Sequence, residues 1–90
     1  MFYVYILVSL KDKDFYVGSA EDLRRRIKEH TQGKVKSTRY RLPVKLICYE
    51  AYCTKQEALR REKYLKSSDG RKELRIRLRD TLTQSVHYTV

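Results

Sequence analysis

The sequence predicts an α+β fold, within the broader α/β class, in which helices pack on one small sheet. Segments rich in aromatic and β-branched residues have the composition of strands, and segments with capping residues and apolar stripes are typical of helices. Their order is strand, strand, helix, strand, helix, helix. The 90 residues suit one domain, predicted to span 1–83 with a tail at 84–90. The residues alone leave a mixed or an antiparallel sheet open.

The strands are predicted from composition and length. Phe2–Ser9 is almost continuously apolar, which favours a central strand covered on both faces. A short polar turn at 10–14 connects it to a strand at 15–18, which indicates an antiparallel hairpin. Val44–Tyr52 alternates in its first half and is predicted to be the third strand.

The first helix is predicted to begin at Ser19, whose hydroxyl can accept a hydrogen bond from a backbone N–H of the first turn. The side chain of Asp22 can in turn accept from the backbone N–H of Ser19. Leu23, Ile27 and His30 follow at helical spacing and form one stripe. We expect this stripe to face the sheet, with His30 at its edge.

A basic loop is predicted after this helix, which is expected to end at Gly33. Residues 34–43 are basic and polar and finish with proline, so this basic loop should be exposed. Its candidate phosphate contacts are Lys34, Lys36, Arg39 and Arg41.

Capping and spacing predict the remaining helices. Thr54 and Glu57 form a capping box that begins the second helix. The Asp69-Gly70 pair is predicted to break the chain before a third helix. That helix is indicated by a four-residue leucine spacing at Leu74, Leu78 and Leu82. Residues 74–79 also alternate, which leaves a strand open.

Charge points to a polyanionic partner. Lys and Arg number 21 against 11 Asp and Glu, giving a net charge of +10, and nucleic acid is the commonest partner of such a domain. A basic domain without an acidic partner is the plain alternative. We expect no membrane association, because no basic helix has a strongly apolar opposite face.

The termini and cysteines indicate the cytoplasm. The apolar N-terminal segment lacks a basic region and is too short to span a bilayer, so no signal peptide is predicted. Two cysteines form no disulfide framework. A zinc site from Cys48, Cys53, His30 and His87 has no familiar ligand spacing and is disfavoured.

Five residues form the candidate catalytic set: Tyr5, Tyr16, Arg26, His30 and Glu62. Two aromatic strands followed by a basic helix would bring phenol, guanidinium and imidazole groups together, a combination suited to phosphodiester chemistry. Each residue also has a plainer interpretation. Tyrosines in sheets usually pack, and a lone histidine on a stripe is usually a satisfied core residue. Sheet tyrosines can also stack the bases of RNA.

Glu62 interrupts the apolar stripe of the second helix, predicted to comprise Ala58, Leu59 and Leu65. A partly buried carboxylate must be paired or must hold a metal. The structural alternative is an ion pair with Arg61 or Arg26.

The ordered motifs resemble the GIY-YIG nuclease family, specifically its small stand-alone bacterial members. Tyr3-Val4-Tyr5 and Tyr16-Val17-Gly18 take the places of the two signature triplets. The helix after the second triplet is similar at Ser19, Asp22, Leu23, Arg26, Ile27 and His30, and further similarity lies at 43–46 and 57–63. The resemblance covers residues 2–70.

The resemblance implies a three-stranded antiparallel sheet flanked by helices and an endonuclease dependent on Mg²⁺ or Mn²⁺. It implies that Tyr5 activates water, that Tyr16 holds the network and the phosphate, and that Arg26 neutralises phosphate charge. His30 would bond the phosphate or relay a proton, and Glu62 would be the lone protein ligand of the metal. DNA is the favoured substrate, in repair or recombination.

Two departures from the family pattern matter. An asparagine common late in the family's domain is absent, and Arg71 or Lys72 is the candidate replacement. No separate DNA-targeting domain fits in the chain, so cleavage would be structure-selective, weakly specific or directed by a protein partner. The rival interpretations are a non-catalytic nucleic-acid-binding module on the same fold and a basic protein that docks an acidic one.

Overall fold

A three-stranded antiparallel sheet with strand order β2-β1-β3 organises the chain. The computed structural model describes residues 1–87. The strands are β1 (Phe2–Ser9), β2 (Phe15–Ala20) and β3 (Val44–Tyr52). The helices are α1 (Leu23–Thr31), α2 (Lys55–Leu65), α3 (Ser68–Arg77) and α4 (Arg79–His87), with a 3₁₀ turn at Arg39–Arg41. The predicted sheet with flanking helices is confirmed, and the open choice is resolved as antiparallel.

The central strand β1 is covered on both faces, as its apolar run predicts. Alternate side chains point to opposite faces of a strand. Val4 and Ile6 therefore pack on one face against the second half of the fold, including Leu65 of α2 and Leu74 of α3. We call this the α2 face. The hydrophobic cluster of the opposite, α1 face has three buried side chains, Tyr5, Leu7 and Val44, and α1 packs on them through Leu23 and Ile27.

The start of α1 differs from the prediction. Ser19 lies inside β2, where it pairs with Val4, so its backbone belongs to the sheet and cannot begin a helix. Asp22 is the N-cap instead, and its carboxylate accepts a hydrogen bond from the backbone N–H of Arg25 at 3.1 Å. The predicted exchange between Ser19 and Asp22 is therefore wrong. The serine hydroxyl is thereby available for another contact.

The predicted start of α2 at Thr54 is confirmed, since its hydroxyl accepts from the backbone N–H of Glu57 at 3.2 Å. The Glu57 carboxylate accepts from the Thr54 hydroxyl at 2.8 Å, which replaces the backbone bond expected of a capping box. The predicted break at 69–70 is wrong, because Ser67 caps α3 through the backbone N–H of Gly70. Gly70 lies in the first turn of α3, where α3 crosses α2. A Cβ there would lie 2.5 Å from Cα of Leu65, so the crossing requires a residue without a side chain.

The leucine spacing after residue 73 belongs to two helices rather than one. Leu78 is the C-cap of α3, and α4 begins at the next residue. The strand interpretation of 74–79 is excluded. Helix α4 crosses the expected boundary at residue 83, while residues 88–90 of the predicted tail lie outside the described range. No helix within 1–87 is both long and apolar enough to cross a bilayer.

Candidate active site

Three aromatic rings meet on the α1 face where β1, β2 and α1 come together. The hydroxyl of Tyr5 lies 2.7 Å from Nε2 of His30, and this contact is buried. The ring of Tyr16 completes the group, with its centre 5.1 Å from that of His30 and 6.3 Å from that of Tyr5. We call Tyr5, Tyr16 and His30 the ring cluster. Residues from two strands and a helix are thus brought together, as the sequence predicts.

His30 is fully buried, with 0% of its surface exposed, and does not lie at the edge of its stripe. Both of its ring nitrogens have partners. Nδ1 lies 2.7 Å from Oγ1 of Thr38, which is also fully buried. A neighbour in the same loop, Ser37, donates a hydrogen bond to the hydroxyl of Tyr16 at 3.2 Å. The basic loop, expected to be exposed throughout, therefore holds two members of the ring cluster.

Gly18 makes room for the phenol of Tyr5. The two residues are directly opposed in the β1–β2 ladder. The Tyr5 ring lies across the glycine, so that a Cβ at residue 18 would lie 2.5 Å from Cζ of the ring and closer still to the hydroxyl. Even alanine would displace the ring. The glycine of the second triplet is therefore needed to position the phenol.

Burial sets the protonation states of the hydrogen-bonded pair. It raises the pKa of Tyr5 to about 12, although the nearby Arg26 guanidinium opposes this rise. It also lowers the pKa of His30 to about 4, and the positive charge of Arg26 acts in the same direction. At neutral pH the pair therefore consists of a protonated phenol and a neutral imidazole.

Arg26 lies at the solvent side of the ring cluster. Its side chain is 39% exposed and forms an ion pair with Glu29 at 3.1 Å. Interaction with the Tyr5 hydroxyl is the largest influence on its pKa, which is raised. The guanidinium thus interacts electrostatically with the phenol and remains partly exposed to solvent.

Glu62 reaches the same edge of the sheet from α2. Its side chain is 17% exposed, accepts a hydrogen bond from the Ser19 hydroxyl at 2.8 Å, and pairs with Lys66 at 2.9 Å. Its negative charge makes a small contribution to the raised pKa of Tyr5, behind burial. Ser19 connects Glu62 to strand β2. It follows Gly18, which lies opposite Tyr5, and its own side chain points to the α2 face, where it bonds Glu62.

The predicted surroundings of Glu62 need two corrections. The ion-pair partner is Lys66, one helical turn on, and not Arg61 or Arg26. Arg61 pairs with Glu50 and Glu73 instead. Leu59 is 44% exposed and does not belong to the inner stripe, because the buried side chains of α2 are Ala58 and Leu65.

The cations of the basic loop fall into two groups. Lys34, Lys36 and Arg39 are exposed. Arg41 forms a two-pronged ion pair with Asp12, at 2.7 and 3.1 Å, which joins the loop to the β1–β2 hairpin. Burial and this partner leave its guanidinium little free surface. Arg41 therefore positions the loop that carries Ser37 and Thr38.

No set of three or more His, Cys, Asp or Glu side chains converges as a metal site within the described residues. Cys48 and Cys53 are free thiols, while the side chain of His87, a member of the zinc set considered from the sequence, lies outside the described part of the chain. Arg71, a candidate replacement for the family's late asparagine, pairs with Asp14 at 3.3 Å. Lys72 is exposed.

Comparison with known proteins identifies the class. The profile of the GIY-YIG catalytic domain matches residues 1–75. A UPF0213 protein of Staphylococcus saprophyticus is 41% identical over 75 residues, which cover 82% of this chain and 90% of that protein. UPF0213 protein YazA of Bacillus subtilis is 40% identical over 70 residues, covering 77% and 71%.

A solved structure supports the same assignment. The solution NMR structure of a UPF0213 protein from Bacillus halodurans is 42% identical, with a TM-score of 0.51 and coverage of 82% of each chain. The chain therefore belongs to the GIY-YIG catalytic domain family and, within it, to the small bacterial UPF0213 proteins.

Sequence reasoning misses the supporting contacts. Thr38 stands in a basic stretch without periodicity, and nothing local marks it as the partner of a histidine eight residues earlier. Ser19 resembles a helix cap because it stands shortly before a helix, although its hydroxyl contacts Glu62. The one available signal is Gly18, since a glycine within a strand indicates a close approach.

We predict that His30 makes folding stability pH-dependent. Because its pKa is about 4 when folded and near 6.5 when unfolded, stability is complete above pH 6.5 and falls as pH decreases toward 4. The full displacement corresponds to roughly 3 kcal/mol. Urea unfolding between pH 6.5 and 5 should show a steeper pH dependence for the parent protein than for His30→Gln. Equal slopes for the two proteins would contradict the prediction.

Proposed function

We propose that this protein is a metal-dependent endonuclease that hydrolyses phosphodiester bonds in nucleic acid, with DNA as the favoured substrate. The observation that carries the proposal is the buried 2.7 Å contact between Tyr5 and a neutral His30. Arg26 and Glu62 carry opposite charges that both act on the pKa of Tyr5. Family membership supports the same reaction class.

The proton of Tyr5 is directed toward His30. A guanidinium donates hydrogen bonds and cannot accept them, so Arg26 leaves the phenol oxygen with its own proton to donate. Nε2 of His30 is the acceptor within reach, and Nδ1–H then donates to Thr38. In this arrangement, the phenol can take a proton from an attacking water while passing its own to the imidazole.

The imidazole is a suitable acceptor because it is neutral at working pH. The phenolate is disfavoured by burial, since the pKa of Tyr5 is about 12. A concerted transfer avoids forming it as a separate species. Thr38 acts as a positioning residue, because its contact with Nδ1 orients the ring and leaves Nε2 for the phenol.

Arg26 and Tyr16 are proposed to bind the phosphate. The exposed side of Arg26 can donate two hydrogen bonds to phosphate oxygens and offset the charge that grows there. Tyr16 belongs to the ring cluster, and Ser37 donates a hydrogen bond to its hydroxyl. Arg26 and Tyr16 would therefore orient the phosphate at the solvent-facing side of the ring cluster.

Glu62 is proposed as the protein ligand of Mg²⁺ or Mn²⁺. The ammonium of Lys66 already lies 2.9 Å from one carboxylate oxygen, so the site accepts a cation at that oxygen. Mg²⁺ suits a single carboxylate, because it keeps several waters and binds substrate phosphates. When bound, the metal would offset charge on the leaving oxygen.

The wider setting is proposed from the same features. The net charge of +10 suits a nucleic acid, and a separate protein could direct the nuclease to its substrate. The proposed location is the cytoplasm, which agrees with two free cysteines. The proposed role is in DNA repair or recombination. The alternative is a non-catalytic binding module on the same fold, favoured by the absence of asparagine from the sequence.

The proposal predicts metal-dependent cutting that requires both Tyr5 and Glu62. With Mg²⁺ or Mn²⁺, the protein should cleave labelled branched, flapped or single-stranded DNA, and EDTA should stop it. Tyr5→Phe and Glu62→Gln should each reduce the rate by at least about 100-fold, because one removes the proton path and the other the metal ligand. Tyr64→Phe, at an exposed tyrosine of α2, is the matched control.

Equal cutting by Glu62→Gln and the parent protein would disprove the metal role. Salt-sensitive binding without products, on DNA and then RNA, would favour the binding module.

Exposed cations of the basic loop should set the salt dependence of binding. Removing the cation that neutralises one phosphate should reduce the slope of log affinity against log salt by about 0.9 on duplex DNA. We expect Lys34→Gln with Lys36→Gln to lower the slope by up to twice that amount. Lys13→Gln, at the exposed tip of the hairpin, should leave it unchanged. An unchanged slope in the double variant would remove the loop from the binding surface.

A further inference from the structure

An open groove of about 720 Å³ lies on the α1 face beside the ring cluster but outside it. Strands β1 and β3 form its floor, with Tyr3 and Tyr49, and the first half of α1 forms its wall, with Leu23 and Ile27. The two tyrosine rings meet edge to face, with centres 6.0 Å apart. We call this the tyrosine groove. The proposed reaction uses none of these four residues.

The aromatic floor of the groove is partly exposed to solvent. Tyr49 has 55% of its surface exposed, although it lies on the sheet face that α1 covers elsewhere. Helix α1 has nine residues and contacts the cluster of Tyr5, Leu7 and Val44 through Leu23 and Ile27. Tyr49 is not part of this cluster and presents its ring to solvent.

The position of the groove connects it with the proposed reaction. Tyr3 is two residues before Tyr5 on the same face of β1, which places it about 7 Å along the strand. Tyr49 lies directly opposite Tyr5 in the β1–β3 ladder. A nucleotide whose phosphate lies against the ring cluster has its neighbours within reach of this floor.

The charges of the groove favour a base over a phosphate. Glu21 and Asp22 line one end, where their carboxylates would repel a phosphate but can accept hydrogen bonds from the amino groups of a base. Arg24, at the same wall, can stack on a base or hold the flanking backbone. The apolar and aromatic floor offers the surface on which unpaired bases stack.

We propose that the tyrosine groove binds an unpaired nucleobase of a single-stranded nucleic acid, adjacent to the phosphate held at the ring cluster. A base inside a duplex is stacked and paired and cannot enter the groove. The substrate class is therefore single-stranded, or contains unpaired nucleotides at the site. This inference rests on the proposed nucleic-acid substrate but not on cleavage.

The test is equilibrium binding in EDTA, where no cutting occurs. Labelled single-stranded DNA and RNA oligonucleotides are compared with an abasic strand of equal length and with a duplex. We expect the parent protein to prefer the strands that carry bases. Tyr49→Leu should lose at least about fivefold in affinity for them, the loss typical of one stacked aromatic ring, while Tyr49→Phe retains binding.

Two further readouts separate stacking from other causes. Tyr49→Leu should leave the salt slope and the affinity for the abasic strand unchanged, because tyrosine displaces no counterions. Tyr64→Leu, at an exposed tyrosine of α2 that does not line the groove, controls for loss of an aromatic surface residue. Circular dichroism checks that each variant folds.

Equal affinity of the parent protein for normal and abasic strands would overturn the inference. A loss of affinity for the duplex in Tyr49→Leu equal to its loss for the single strands would also overturn it. A parent dimer in sedimentation that Tyr49→Leu converts to monomer would also overturn it, since the groove would then be covered by a second copy. Base-dependent binding without any cleavage would support the groove while refuting the nuclease.

Discussion

The buried hydrogen bond between Tyr5 and His30 is the interaction on which the rest of this structure depends. It joins the central strand to α1 across 25 residues of sequence, at 2.7 Å and away from solvent. Both groups are polar, so each must be paired to be buried. The α1 face is consequently arranged around them: Gly18 leaves space for the phenol, and Thr38 pairs the far nitrogen of the imidazole.

The two faces of the sheet bury different kinds of side chain. The α2 face has an ordinary aliphatic core that includes Ile6 and Leu65, together with the close crossing of α3 at Gly70. The α1 face has aromatic and ionisable groups, and its loop is held by the ion pair between Arg41 and Asp12. The α1 face thus holds the buried pair of Tyr5 and His30, whose pKa values are displaced by burial.

Much of the fold could be predicted because its signals are local. The apolar run of β1 and the N-cap at Thr54 depend on neighbours in sequence, and both predictions are confirmed. The predicted start of α1 is wrong because pairing with β1 extends β2 through Ser19. The contact between Thr38 and His30 could not be predicted at all, since it depends on how a loop without periodicity folds back.

The most direct test of this account is the tautomer and charge of His30 at pH 7. Long-range ¹H–¹⁵N NMR correlation of the imidazole distinguishes its two nitrogens. We expect a neutral ring that has its proton on Nδ1, bonded to Thr38, and an unprotonated Nε2 that accepts from Tyr5. A ring protonated at both nitrogens, or a neutral ring with its proton on Nε2, would contradict the proton path on which the proposed reaction rests.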